Sequence, residues 1–152
     1  MDDIRFYDPR QGPFCALSNL HPRALHFEGL LYATPEHAYQ VFKAVPEVRG
    51  WLMAAPTPEL VAAAGDALTE EHTVADWAQI QLPLMRRIVR AKFDQDVDLR
   101  ELLINTAGVR LVEWSPDDSD VARYWGEFEG EGENQLGNML MALRDEYIAK
   151  AR

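Results

Sequence analysis

The sequence predicts an α+β protein, with one helix-rich domain over residues 1–152 and a small, mostly antiparallel sheet. The chain has 152 residues, of which 47% are hydrophobic and 26% charged, and this is typical of a single globular domain. Two Thr-Pro-Glu tripeptides, at residues 34–36 and 57–59, have the residue order of a helix N-terminus. Apolar residues recur at helical spacing in later stretches, whereas the runs of β-forming residues are short.

The predicted strands are few and short. We expect one strand at residues 4–7 and a hairpin in which residues 24–27 and 30–33 flank a Glu-Gly turn. A second strand region is expected around residues 109–114. Together these strands would make a small and mostly antiparallel sheet.

The two Thr-Pro-Glu tripeptides each predict a helix. The first helix is expected at residues 35–44, with Thr34 as its N-cap, and it should end before Pro46. The second should begin in the same way after Thr57 and end at Gly65, which suits a C-terminal cap.

Three further helices follow in the second half of the chain. Residues 75–93 have a long helical pattern that Pro83 should kink or restart. Asp98 suits the N-cap of the next helix. The last helix is predicted at residues 134–149, with a buried stripe made of Leu136, Leu140, Leu143 and Tyr147.

Charge and cysteine content exclude several classes of protein. The net charge of −10 argues against broad binding to a nucleic-acid backbone or an anionic membrane, but leaves room for a small anionic ligand in a local basic pocket. The single cysteine excludes an intramolecular disulfide, and the histidines show no metal-ligand spacing. Because the N-terminus is acidic and no apolar run reaches the roughly 18 residues of a membrane span, we expect a soluble, cytoplasmic protein.

The first segment that indicates chemistry spans residues 36–43. On a helix, Glu36, Gln40 and Lys43 lie at i, i+4 and i+7 and therefore share one face. A carboxylate can move a proton, an amide can hold a hydroxyl or carbonyl group, and an amine can bind an anion or attack a carbonyl carbon. The alternative is an ordinary solvated helix face. The apolar residues on the other side, Tyr39 among them, favour a buried helix whose polar stripe needs partners.

Two other segments have both a functional and a structural interpretation. Glycines at positions 126, 130 and 132 lead towards the helix start at Asn134, where bare amides would suit a phosphate or ribose oxygen and Trp125 would suit a base. The alternative is a flexible, solvated acidic loop. In residues 13–20, Ser18 and Asn19 either form a local turn or present an amide to a heterocycle edge.

Several motifs in these segments occur in one order along nearly the whole chain. They are Phe6-Tyr7, then Phe14 to Asn19, then Tyr32-x-Thr34-x-Glu36-His37-Ala38-Tyr39-Gln40-x-x-Lys43, and finally Tyr124-Trp125-Gly126 with Asn134-x-Leu136-Gly137. This order resembles the NADAR domain family. The resemblance implies a single NADAR-like domain over residues 1–152.

The resemblance also implies an activity, which is cleavage of an N-glycosidic bond on a ribosyl group. Two substrate classes are associated with the family: phosphoribosylamino-pyrimidine intermediates of riboflavin synthesis, and ADP-ribose attached to guanine in nucleosides or nucleic acid. Carried over by position, Glu36 and Lys43 become the catalytic candidates. The substrate-binding candidates are Ser18, Asn19, Gln40, Trp77, Asp120, Trp125, Gly126 and Asn134. No metal, organic cofactor or membrane partner is implied.

The mechanism that fits these residues has two versions. Glu36 acts as acid and base in both. In the first, a neutral Lys43 amine attacks the anomeric carbon and holds the sugar as a Schiff base that water releases. In the second, Glu36 orients water for direct hydrolysis and Lys43 only binds.

Departures from the family pattern bear on both activity and substrate. Relatives commonly carry Asp at the position of Ala122. The role of that aspartate is therefore in question in this chain, or Asp120 or Glu127 takes it over. This departure keeps open the alternative of a non-catalytic module that binds ADP-ribose or a nucleotide. Residues 65–72 are acidic where riboflavin-type members are often basic, and this favours the ADP-ribose class of substrate. Pro35 stands where relatives often carry Ser.

Overall fold

The computed structural model describes residues 2–152, and within them the prediction of a helix-rich α+β fold is confirmed. The strands are β1 (Ile4–Phe6), β2 (Leu25–Phe27), β3 (Leu30–Tyr32) and β4 (Leu111–Glu113). The helices are α1 (Pro35–Lys43), α2 (Pro46–Met53), α3 (Pro58–Asp66), α4 (Trp77–Asp94), α5 (Val97–Ile104), α6 (Asp120–Trp125) and α7 (Gln135–Lys150). Single 3-10 turns lie at Cys15–Leu17 and Glu70–His72.

The chain forms two compact units, which are described separately. The first comprises residues 19–95, and the second comprises residues up to Ser18 and from Asp96 onward. No helix in the described part of the chain is long and apolar enough to cross a membrane. The same residues contain no group of three or more histidine, cysteine or acidic side chains that is arranged to hold a metal ion.

Helix α1 is the centre of the unit formed by residues 19–95. It packs against α2, α3 and α4 and against the antiparallel β2–β3 hairpin. The Thr-Pro-Glu predictions are confirmed, because Thr34 Oγ1 accepts from the backbone N–H of His37 and Thr57 Oγ1 accepts from that of Leu60. Each threonine thereby satisfies one N–H group that the start of a helix leaves unpaired.

Three details of this unit differ from the predictions. Pro46 begins α2, which was not predicted, because its N-cap is Val45 and offers no side-chain acceptor. Gly65 lies inside α3, and the C-cap is Ala67. Helix α4 continues through Pro83, so no restart occurs. Pro83 and the residue four positions earlier are exposed, and water can therefore reach the carbonyl group that loses its helical partner.

The second unit contains the other pair of strands. Strand β1 pairs in parallel with β4, in the register Ile4 with Leu111. The four strands thus make two separate pairs, one parallel and one antiparallel, instead of one mostly antiparallel sheet. A parallel pair needs a long crossover, and here most of the chain separates the two strands. The pairing therefore cannot be predicted from the sequence near either strand.

Helix α7 covers β4 in this unit and buries the stripe predicted for it. Helix α5 is capped by Asp96, whose side chain accepts from the backbone N–H groups of Asp98 and Leu99. The predicted cap, Asp98, therefore lies in the first turn instead. Helix α6 was not predicted. Ser119 caps it by accepting from the backbone N–H of Ala122.

Candidate active site

The N-terminal turn of α1 is fixed by buried hydrogen bonds. His37 Nδ1 lies 2.8 Å from Thr34 Oγ1, and His37 Nε2 lies 2.9 Å from the carbonyl oxygen of Ala55. Since a carbonyl can only accept, Nε2 carries a proton, and in the neutral ring Nδ1 accepts from the threonine hydroxyl. The backbone N–H of Glu36 donates to the carbonyl oxygen of Asn19 at 3.2 Å. These contacts hold Glu36 in place at the second helical position.

Glu36 and Gln40 form a buried pair on the face of α1 predicted from their spacing. Glu36 is 9% exposed and Gln40 is 3% exposed. Gln40 Nε2 donates to Glu36 Oε1 at 2.8 Å, while Gln40 Oε1 is buried and has no hydrogen-bond partner. The alternative of a solvated helix face is therefore wrong for these two residues.

Lys43, the third member of the row, is half-buried. Its Nζ atom donates to the carbonyl oxygen of Gly65 at 2.8 Å. Gly65 lies in the last turn of α3, where carbonyl groups lack helical partners and the helix dipole attracts a cation. Lys43 therefore binds the C-terminal end of α3, and it lies one helical turn from Gln40 on α1.

The environment of Glu36 changes its acidity. Burial raises the pKa of Glu36 from its ordinary 4.5 to about 7. The hydrogen bond from Gln40 opposes this rise, the negative charge of Asp66 adds to it, and the positive charge of Lys43 opposes it. A carboxyl group with a pKa near neutrality holds and releases a proton with similar ease, as general acid–base catalysis requires.

Asn19 and Trp77 lie in the same unit. Asn19 is 4% exposed; its Nδ2 atom lies 3.3 Å from the sulfur of Met85, and its Oδ1 atom is buried without a hydrogen-bond partner. Buried carbonyl oxygens normally have a donor, so Asn19 has an acceptor available for a ligand. Trp77 begins α4 and packs against Tyr39 of α1, with ring centroids 5.2 Å apart.

The remaining predicted residues belong to the second unit. The side chain of Asn134 donates to the carbonyl oxygen of Leu111 at 2.9 Å and accepts from the backbone N–H of Glu113 at 3.1 Å. Asn134 thus fastens the start of α7 to β4. At Gly126, an added Cβ would lie 1.9 Å from the carbonyl oxygen of Glu113, so this glycine permits close backbone packing.

Two backbone amides on the approach to α7 have partners, while no side chain caps the first turn of that helix. The backbone N–H of Glu133 donates to the carbonyl oxygen of Arg123, and that of Asn134 to Gly126. Trp125 ends α6 and makes an edge-on contact with Tyr124 at 4.9 Å. The loop is therefore held by its own hydrogen bonds and offers these two amides to no phosphate.

The acids considered as replacements for the missing aspartate lie in this unit too. Asp120 is exposed in the first turn of α6. Glu127 is buried and paired with Arg110, which also binds Asp3. Ser18 is buried at the end of the first 3-10 turn, where its backbone N–H donates to the carbonyl oxygen of Cys15.

Two residues of the candidate site were not predicted from the sequence. Gly65 was interpreted as a helix cap, although it contacts Gln40 and Lys43. Asp66 was noted only as part of an acidic stretch, although its charge acts on Glu36. The sequence signal for Gly65 is a glycine directly after three alanines in a helix, where nothing in the backbone calls for one.

Comparison with known proteins defines the class. The NADAR domain model matches residues 5–147, and the chain therefore belongs to the NADAR domain family. It is 37% identical to an N-glycosidase of Nostoc punctiforme, over 94% of this chain and 91% of that protein.

Two further relatives are informative. The N-glycosidase YbiA of Escherichia coli is 32% identical, over 94% of this chain and 87% of YbiA. The NMR structure of E. coli YbiA superposes with a TM-score of 0.85 and 30% identity, covering 99% of this chain and 89% of that one. A riboflavin biosynthesis protein of Vibrio vulnificus is 34% identical over 94% of this chain, which corresponds to 38% of that protein.

Proposed function

We propose that this protein is an N-glycosidase, a hydrolase that cleaves the bond between a ribosyl group and a nitrogenous base. The observation that carries the proposal is the buried Glu36 carboxyl group, whose pKa is raised to about 7. It lies in the row Glu36, Gln40 and Lys43, and two of the relatives named above are N-glycosidases. Family membership supports the reaction class, and the row supplies an acid, an amide and an amine.

Glu36 is the proposed acid and base. In its protonated form it donates a proton to the nitrogen of the leaving base as the bond to the ribose C1 atom breaks. The resulting carboxylate then takes a proton from the water that attacks C1. Because the pKa lies near 7, both forms of Glu36 are well populated at neutral pH.

Lys43 is the second proposed catalytic residue, by one of two routes. In the Schiff-base route, the neutral amine adds to C1 as the base leaves with a proton from Glu36. The C1–O4 bond of the ribose then opens, with a proton passing from the attached nitrogen to O4, and water hydrolyses the resulting imine to return the amine. The ammonium bound to Gly65 must first give up both its proton and that contact. In direct hydrolysis, Lys43 remains an ammonium and only orients the substrate.

We propose ADP-ribose on guanine as the substrate, in preference to a phosphoribosylamino-pyrimidine. The stretch beside the row contains Asp66, which acts on Glu36, and the exposed Glu70 and Glu71. Residues 65–72 contain no lysine or arginine, so this stretch supplies no cation to hold a phosphomonoester on the ribose. ADP-ribosylated nucleic acid belongs to the same proposed class.

The remaining site assignments are proposals of unequal support. Asn19 and Gln40 have unpaired buried acceptors and are retained as substrate-binding residues, together with Trp77. Asn134 and Gly126 have structural contacts that account for their presence. A single domain and a cytoplasmic location remain predictions, and the family match to residues of both units supports the former.

The test is incubation with ADP-ribosylated guanosine and, separately, with the phosphoribosylamino-pyrimidine, followed by chromatography. Release of free guanosine from the first substrate alone is the expected result. Release from the second alone would reverse the choice of substrate. Binding of ADP-ribose without any release would instead support the non-catalytic module.

Borohydride reduction during turnover separates the two routes. The Schiff-base route predicts a sugar adduct that mass spectrometry locates on Lys43 and that is lost in Lys43→Arg. Lys150→Arg, at the exposed end of α7, is the matched control and should retain the adduct. Turnover without a trappable adduct would favour direct hydrolysis.

A further inference from the structure

We propose that Gly65 is the positioning residue of this site, because its missing side chain makes the space in which Gln40 reaches Glu36. The effect of Gly65 on catalysis rests on the function proposed above. Its structural part concerns contacts between α1 and α3 and can be tested without any substrate.

The space argument follows from the distances at Gly65. A Cβ atom added there would lie 1.8 Å from Gln40 Oε1, 2.2 Å from its Cδ and 2.9 Å from its Cγ. The three nearest atoms thus all belong to the one side chain that hydrogen-bonds Glu36. Any residue other than glycine must displace the amide of Gln40, and Gln40 is 3% exposed, which leaves little room for a new position.

The backbone gives no other reason for a glycine at this position. Gly65 is within α3 and is not among the glycines with positive φ. Alanine is the better helix former, and the three preceding residues are Ala62, Ala63 and Ala64. The helix therefore departs from alanine where α1 presents Gln40.

The carbonyl group of Gly65 has a second role. It accepts the hydrogen bond from Lys43 Nζ at 2.8 Å. One residue thereby contacts both Gln40 and Lys43, the two residues that follow Glu36 in the row. Since a backbone carbonyl is unchanged by substitution to alanine, Gly65→Ala perturbs the Gln40 contact and leaves the Lys43 acceptor in place.

The consequence for Glu36 has a defined sign. The hydrogen bond from Gln40 stabilises the carboxylate and lowers the pKa of Glu36, while burial and Asp66 raise it. If Gln40 is displaced and Glu36 stays buried, the pKa of Glu36 rises. The charge-assisted hydrogen bond that is lost corresponds to roughly one pH unit.

The experiment is a carboxyl titration by NMR of the full chain labelled with 13C at glutamate, in wild type, Gly65→Ala, Gln40→Ala and the double variant. Gly65→Ala and Gln40→Ala should each raise the pKa of Glu36, and Gly65→Ala should have no further effect once Gln40 is truncated. Gly50→Ala is the matched control. It also lies within a helix, with no atom within 4 Å of an added Cβ, and it should leave the pKa unchanged.

Stability gives a second, independent readout. In the Gln40→Ala background all three close contacts are gone, so Gly65→Ala should raise Tm; in wild type it should raise Tm less or lower it. Folding of the double variant where Gly65→Ala alone fails to fold would support the proposal. An equal effect of Gly65→Ala in both backgrounds, or an unchanged or lowered pKa of Glu36, would overturn it.

The outcomes also separate this proposal from the proposed function. A wild-type protein that cleaves neither substrate, but whose variants titrate as expected, would leave the role of Gly65 intact and remove the N-glycosidase. If the wild type cleaves a substrate and Gly65→Ala shows the same activity and the same pH profile, the N-glycosidase proposal stands and the proposed role of Gly65 fails.

Discussion

Replacement of Glu36 by glutamine tests the central electrostatic feature of the site through stability alone. The folded protein holds the Glu36 proton up to a pKa of about 7, whereas the unfolded chain releases it at its ordinary 4.5. Between these values the folded state binds more protons, so stability decreases as pH rises. The contribution is fully present below pH 4.5 and is lost as pH rises through about 7. Glu36→Gln keeps the shape and removes this dependence.

The magnitude follows from the same two values. A difference of 2.5 between 7 and 4.5, at about 1.4 kcal/mol per pH unit, corresponds to about 3 kcal/mol over the full titration. Over the practical range from pH 5 to 8, the wild type should lose about 2 to 3 kcal/mol relative to Glu36→Gln. The other carboxyl groups cancel in this difference because both proteins carry them.

The assay is urea unfolding of both proteins at intervals from pH 5 to 8, with the free energies of unfolding extrapolated to water. Glu47→Gln makes the same change at an exposed residue that also follows the proline of a helix start. Its difference from wild type provides the baseline, because the same atoms are changed at an exposed position. A difference for Glu36→Gln that is as flat as this control would refute the buried carboxyl as an acid with a pKa near neutrality.

Four further substitutions test other contacts. Asp66→Asn removes a negative charge and should lower the pKa of Glu36, which the same NMR titration detects and a pH–rate profile would repeat at its alkaline limb. Asn19→Leu removes an amide with one unpaired acceptor. It should change the free energy of unfolding by less than about 1 kcal/mol and weaken ADP-ribose binding tenfold or more. Asn134→Leu breaks two hydrogen bonds and should lower the free energy of unfolding by about 2–4 kcal/mol. Equal losses of stability would contradict this assignment of the two asparagines. Thr34→Ala removes the N-cap bond and the bond to His37 Nδ1 and should cost about 2 kcal/mol. A loss in urea unfolding no larger than experimental error would show that both contacts are dispensable.

The parts of the fold that were predicted correctly depend on local chemistry. The Thr-Pro-Glu starts at Thr34 and Thr57 each supply an acceptor, a fixed φ and a favourable charge within three residues. Helix α2 has the proline without a capping side chain at Val45, and it was missed. The six-residue α6 is too short to establish a period.

The parts that were not predicted depend on contacts between distant residues. The parallel register of Ile4 with Leu111 leaves no trace in either strand alone. The same is true of the glycines. Gly126 was interpreted as a source of backbone freedom for a phosphate loop, but an added Cβ would meet a backbone oxygen at 1.9 Å. Gly132 has a positive φ, and an added Cβ would also meet a backbone oxygen at 2.2 Å. Only the packed structure distinguishes a glycine needed for space from one needed for conformation.

The sequence was sufficient to predict which residues share one face of α1, but not the burial and charge around them. Helical spacing brings Glu36, Gln40 and Lys43 to one face in any α-helix. Their chemistry depends on α3, which buries the face, supplies Asp66 and leaves space at Gly65. The spacing of α1 identifies the groups, and the packing of α3 sets their protonation.

The three buried side-chain amides of the described residues differ in how fully they are paired, and this difference indicates which of them serve the fold. The amide of Asn134 has a partner for each of its polar atoms, both in the backbone of β4, as expected for a group kept to hold a fold together. Asn19 and Gln40 each leave an acceptor unpaired. The Gln40 amide bonds the Glu36 carboxyl group, which burial makes harder to ionise, and the backbone carbonyl of Asn19 accepts from the backbone N–H of Glu36. Leaving acceptors unpaired lowers stability, so their occurrence beside Glu36 is better explained by a ligand that supplies the missing donors than by the needs of the fold.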